Sequence, residues 1–150
     1  MPSIVSSHIY TFVALAAVST ILIATLNAYT TSLRAIPEAE QLRNLLNHLA
    51  AKGNELLTIA TTTNSSTKVF LQLPTTIGSH QYWLRACSDS SSAWLEGSLG
   101  QEMEDAASCR VFLPQGTSAS GHFIGGYGPA ILESYMNGSA PQLNLASIGG

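Results

Sequence analysis

Between residues 4 and 33 the chain carries no Lys, Arg, Asp or Glu, and no other feature limits so strongly what it can become. Ala, Leu, Ile and Val dominate this run, which includes Phe12, Val13, Leu15, Val18, Ile21, Leu22, Ile23 and Leu26. A helix needs about 20 apolar residues to cross a hydrocarbon layer of roughly 30 Å, so the run is long enough to span. Its Ser and Thr hydroxyls can bond back to the carbonyls of their own helix, which lets either lipid or protein surround it. Each large apolar side chain is worth roughly 1.5–3 kcal/mol on burial, and the whole run on the order of tens of kcal/mol. Such a helix does not stay in water alone. Its two stable fates are lipid and a bundle of identical helices. The small residues Ala14, Ala16, Ala17, Ser19, Ala24 and Ala28 let neighbouring backbones approach closely. A heterologous contact that does not close on itself then propagates as a filament.

A cleaved signal peptide is the weaker reading, because it wants a basic start and a shorter apolar core, whereas the chain opens Met1-Pro2-Ser3. The charge flanks conflict with the rest of the sequence. Arg34, Arg43 and Lys52 follow the apolar run, and the bias of basic residues to the cytoplasmic side would place the remainder inside. Asn64-Ser65-Ser66 and Asn137-Gly138-Ser139 fit the glycosylation acceptor pattern, with Asn64 and Asn137 as candidate sites. Charged residues make up only 10% of the chain, well below the usual quarter or so. With abundant hydroxyls and two cysteines, the balance favours an extracellular location. Loss of a basic leader ahead of Met1 would remove the conflict. The net charge is −3 and the six basic residues are scattered singly, so nothing tracks a phosphate backbone and nucleic-acid binding is excluded.

Pro37 removes a helix hydrogen bond and restricts the residue before it, which predicts a kink or short break near Ile36. Beyond it, Leu42, Leu45, Leu46 and Leu49 recur at i, i+3, i+4, i+7 and form one apolar stripe. Glu38 and Glu40 suit the positive end of that second segment, with Pro37 in its first turn. Gly53-Asn54 is expected to weaken or end it. The remainder reads as strands: LLTIATTT and KVFLQL flanking a hairpin tip at Asn64-Ser65-Ser66, then HQYWLRACS, SAWLEGS, SCRVFLP, GHFIGGY and PQLNLAS. Short strands with frequent turns point to an antiparallel sandwich or small barrel. The fold class expected is therefore α+β: a long N-terminal hydrophobic helix kinked near Pro37, then a small antiparallel β-sandwich or barrel. Residues 1–57 form the assembly or transmembrane helix (apolar 4–33, amphipathic 38–52) and residues 58–150 an extracellular β-rich domain.

Candidate chemistry is sparse. His80, Cys87, Cys109 and His122 offer two nitrogens and two sulfurs, yet no close ligand pair exists and the spacing matches no zinc module. A Cys87–Cys109 disulfide explains the cysteines with fewer assumptions, and closing a loop of that length contributes roughly 3 kcal/mol. GHFIGGYG (121–128) lacks the ending of a phosphate loop and the spacing of a dinucleotide fingerprint, so it reads as a turn or bulge. Glu102, Glu104 and Asp105 read as a solvated acidic loop, and His48, beside the leucine stripe, as a partly buried structural histidine. No Gly-x-Ser-x-Gly or triad pattern is present. The chain is expected not to be an enzyme and to need neither cofactor nor metal.

An uncharged apolar helix, a proline, an amphipathic extension and a small β domain together resemble archaeal type IV pilins. The opening MPSIVSSHIYTFVALAAVSTILIATLNAYTT is also similar to the start of the archaellum stator proteins of the same superfamily, and FLQLPTTIGSHQYWL (70–84) resembles a stretch of pilin-like β domains. The resemblance implies a filament subunit whose helices form the core while β domains form the coat, made from a membrane-inserted precursor and serving adhesion. It implies as partners identical subunits, the membrane before assembly, and surface glycans or an S-layer. A stator-like anchored module that forms no filament by itself is the alternative.

Overall fold

The computed structural model describes residues 2–101 and 107–148, without the side chains of residues 2–6 and 31–36. The chain is α+β: one helix, α1 (Pro2–Thr63), precedes seven strands. It divides into two compact units, Met1–Pro37 and Glu38–Gly150. The division lies at Pro37 rather than after residue 57, because the amphipathic segment packs into the β-rich unit. The helix is continuous through Pro37, so this proline lies inside α1 and does not open a second helix.

In the second unit, Leu42, Leu46, Leu49, Leu56, Leu57 and Ala60 are all buried, with Leu45 half-buried at the margin. The predicted stripe is present and runs three turns further than expected. Gly53 does not end the helix. It is buried, and a Cβ built there would sit 2.8 Å from Leu143 Cδ2, so its missing side chain admits the sheet. The expected strand LLTIATTT is likewise helix. Thr58, Thr61, Thr62 and Thr63 each donate a hydroxyl hydrogen bond to the carbonyl four residues earlier, at 2.7–2.8 Å. This satisfies the hydroxyls locally, and burial of Leu56, Leu57 and Ala60 overrides the strand preference of threonine. Asn64, at φ 51, adopts the left-handed conformation that ends helices. The expected hairpin tip is thus a helix C-cap.

The strands are β1 (Thr67–Leu71), β2 (Tyr82–Ser88), β3 (Ala93–Leu99), β4 (Cys109–Phe112), β5 (Ser118–Ile124), β6 (Ala130–Asn137) and β7 (Ala140–Ser147). They form a single sheet in the order β1-β6-β7-β5-β2-β3-β4, where a sandwich or barrel was expected. All pairings are antiparallel except β5 with β7. Its inner face is a chain of cross-strand pairs: Leu132 with Leu145, Leu84 with Phe123, Ala86 with Leu95, and Leu95 with Val111. Together with the helix stripe these make one hydrophobic core. β6 escapes prediction because its inward positions are Ala130, Leu132 and Ser134, only one of them a large apolar residue. Ser134 is fully buried and donates its hydroxyl to the Leu56 carbonyl at 2.9 Å. Gly121 turns the corner of β5. Residues 118–121 pair with β7 and the following residues with β2. Its φ is +105, and a Cβ there would lie 1.9 Å from the Leu145 carbonyl oxygen.

Candidate functional site

Two surfaces stand out. The first is the apolar part of α1. Ser7–Thr30 is long and apolar enough to cross a membrane, and none of it is buried. Phe12, Val13, Leu15, Val18, Ile21, Leu22, Ile23 and Leu26 are 57–75% exposed, and at 100° per residue they face all sides of the helix. Hydroxyls do not compromise this surface. Thr11, Ser19, Thr20, Thr25 and Thr30 each donate to a carbonyl one turn back in the same helix. Their hydrogen-bonding capacity is met without water, so lipid or neighbouring protein can close around them.

The second surface is the sheet face turned away from the core. Alternation places Trp83, Arg85 and Cys87 of β2 on that face, with Trp94, Glu96 and Ser98 of β3, Arg110 and Phe112 of β4, and His122 and Ile124 of β5; Trp83 is itself buried. The register lines up His122, Arg85, Glu96 and Arg110 as one row across four strands. Glu96 is buried and is held from both sides. Arg85 donates Nε and Nη2 to its Oε1 at 3.0 and 2.6 Å. Arg110 donates Nε and Nη2 to Oε2 at 3.2 and 2.9 Å, and Trp94 adds its indole N–H at 2.8 Å. Burial alone would raise the pKa of the Glu96 carboxyl, but the hydrogen bonds from Arg85, Trp94 and Arg110 outweigh it and hold the group below its ordinary value. The guanidiniums also lie over indole rings, Arg85 over Trp83 at 5.3 Å and Arg110 over Trp94 at 4.7 Å. Phe112 sits beside Trp94, ring centroids 6.3 Å apart, and is 62% exposed.

Sequence reasoning missed this row because its members are 11 and 14 residues apart in the chain. Its signal was the second half of each alternation: Trp-x-Arg-x-Cys in β2 and Trp-x-Glu in β3.

The expected disulfide is absent: Cys87 and Cys109 are both free thiols. β3 lies between their strands, with Cys87 opposite Trp94 and Cys109 opposite Gly97. Two strand spacings of about 4.8 Å exceed the roughly 7 Å that a disulfide spans between Cα atoms. The side chains also leave opposite faces, Cys109 packing against the core and Cys87 donating to Glu96 Oε1 at 3.6 Å. Burial, and the Glu96 charge beside it, push the Cys87 thiol up and keep it protonated.

His80 and His122 do not join the cysteines. His80 Nδ1 lies 3.0 Å from Glu38 Oε2, pinning the loop before β2 to the helix just after Pro37. Among the described residues no group of three or more His, Cys, Asp or Glu is arranged to hold a metal ion. His48 is exposed rather than partly buried, because it lies beside the stripe and lines a shallow groove with Gln41, Asn44 and Pro74. Asn64 and Asn137 are both exposed, the latter as the last residue of β6, beside the β6–β7 turn. Residues 121–128 supply the second half of β5 and the turn after it. Glu102, Glu104 and Asp105 lie outside the described residues. No protein-family model, curated protein or solved structure matches the chain.

Proposed function

We propose that this chain is a non-catalytic structural subunit of an extracellular filament of the archaeal type IV pilus kind. In this reading the apolar helices form the filament core and the β-rich units its coat. The observation that carries the reading is the wholly unburied apolar helix, Ser7–Thr30, joined to a unit with a complete core of its own. A helix apolar on every side calls for neighbours on every side. A membrane supplies them before assembly, and identical helices supply them afterwards. The small residues Ala14, Ala16, Ala17, Ala24 and Ala28 suit close helix contacts. The exposed Asn64 and Asn137 suit a glycosylated coat.

Electron microscopy of protein sheared from cells and kept free of detergent tests this. Uniform thin filaments are expected. Ile21→Asp should abolish them, since a buried carboxylate at mid-helix costs about 3 kcal/mol in each subunit. Detergent-bound single particles in place of filaments would assign the chain to the stator-like, membrane-anchored alternative. Normal filaments from Ile21→Asp would remove the helix from the core.

A further inference from the structure

We propose that the sheet face around Arg85 and Arg110 binds anionic polysaccharide, the acid groups on the two guanidiniums and a sugar ring on Phe112. This is independent of whether the helix rests in lipid or in a bundle.

Neutralising Glu96 explains one arginine but not two. One bidentate guanidinium matches one carboxylate. Here a single buried carboxylate collects two forks, and the row carries an excess positive charge in a chain of net charge −3 with only six basic residues. Burying such a group brings little net stability over a well-packed apolar core. The arrangement does fix both guanidiniums in place. Each is clamped at Nε and Nη2 by Glu96 and flanked by an indole ring. Each guanidinium carries N–H donors beyond this clamp, and the Arg85 side chain is 29% and the Arg110 side chain 49% exposed. Arginine normally loses much side-chain freedom on binding an anion; here folding has already removed it.

The surroundings select the kind of anion. Recognition of a peptide by a sheet typically pairs with the backbone of an edge strand; β4 is an edge strand, but the side chains of Arg110 and Phe112 project from the face, away from its hydrogen-bonding edge. That face offers an exposed aromatic ring, Phe112, two residues from Arg110 on the same side of β4, and exposed His122 at the other end of the row. From β5 to β4 the row spans about 14 Å, three strand spacings of ~4.8 Å. Two fixed guanidiniums on either side of a neutralised carboxylate, with an exposed aromatic ring on the strand of the second, fit an extended chain of acidic sugars, whose carboxylate or sulfate groups match the forks.

The test is equilibrium binding of the full chain in detergent micelles to polygalacturonate, dextran sulfate, neutral dextran and poly-glutamate. The wild type should bind either or both of the acidic polysaccharides, more weakly as salt rises, and neutral dextran and poly-glutamate at least tenfold more weakly. Arg110→Gln should lose binding about tenfold or more, and Arg110→Lys nearly as much, since lysine keeps the charge but lacks the fork. Phe112→Ala, at an exposed ring outside the core, should lose about three- to tenfold with its far-ultraviolet circular dichroism unchanged. The proposal is overturned if the wild type binds neither acidic polysaccharide. It is equally overturned if neutral dextran or poly-glutamate binds as tightly as the better of the two, or if folded Arg110→Gln or Phe112→Ala binds like the wild type.

Discussion

Replacing Glu96 by Gln separates the structural role of the buried carboxylate from everything else on that face, and its size can be worked out. The carboxylate accepts two hydrogen bonds from each guanidinium and one from Trp94. Charged hydrogen bonds contribute roughly 1.5–3 kcal/mol each before any allowance for exposure. The Arg85 fork, the more buried, is counted at about 2 kcal/mol. The Arg110 fork is half exposed and is counted at about 1 kcal/mol, because water takes over part of its role. The amide should therefore cost the fold about 3 kcal/mol, a fall of about 10–15 °C in Tm for a unit of this size. Thermal unfolding at pH 7, followed by near-ultraviolet circular dichroism of Trp83 and Trp94, reads this directly. Acid supplies the sign. The carboxyl has a lower pKa in the folded chain than when unfolded. Its contribution is complete above the unfolded value, about 4.3, and is lost as the pH falls through the lower folded value. The wild type should thus begin to shed its advantage below about pH 4, and the two proteins should converge only once the pH is below the lowered folded value. A Tm change under about 3 °C at pH 7, or parallel acid unfolding of the two proteins, would refute the reasoning.

Leu46→Ala, which empties a fully buried position on the helix stripe, should destabilise the second unit by about 3 kcal/mol in denaturant titration; a loss under 1 kcal/mol would mean that the stripe is not packed as described. Gly121→Ala should cost at least about 3 kcal/mol, because positive-φ strain and a collision with the Leu145 carbonyl add together. Near-wild-type stability would deny the corner in β5. Dithiothreitol should leave Tm and electrophoretic mobility unchanged, and both cysteines should be alkylated after unfolding without reductant; a reductant-dependent Tm would restore the disulfide.

What could be read from the sequence was what local periodicity encodes. The run 4–33 and the leucines at 42, 45, 46 and 49 declare themselves by spacing, as does the strand containing Tyr82 and Leu84. Where two local preferences compete, the sequence misleads. Thr58 to Thr63 prefers strand by residue type, yet Leu56, Leu57 and Ala60 continue the buried stripe and take the threonines into the helix. Gly53 reads as a breaker because the approach of Leu143, ninety residues later in the chain, is not a local property. The cysteines fail as a predicted pair for the same reason: only the strand order places β3 between them. The Arg85–Glu96–Arg110 cluster depends on the registers of two hairpins at once, and no single stretch contains it.

The leucine stripe also has a consequence for synthesis. The helix is made first, but two residues of its shared core, Leu143 and Leu145, lie on β7, and Leu143 reaches Gly53. Roughly 80 further residues must be added after the stripe is complete, about 4–16 s at ribosomal rates of 5–20 residues per second. Throughout that interval Leu42, Leu46 and Leu49 have only earlier strands to pack on. The core therefore closes only when β7 has been made, and a polypeptide halted before β7 would leave the part of the helix face around Gly53 uncovered.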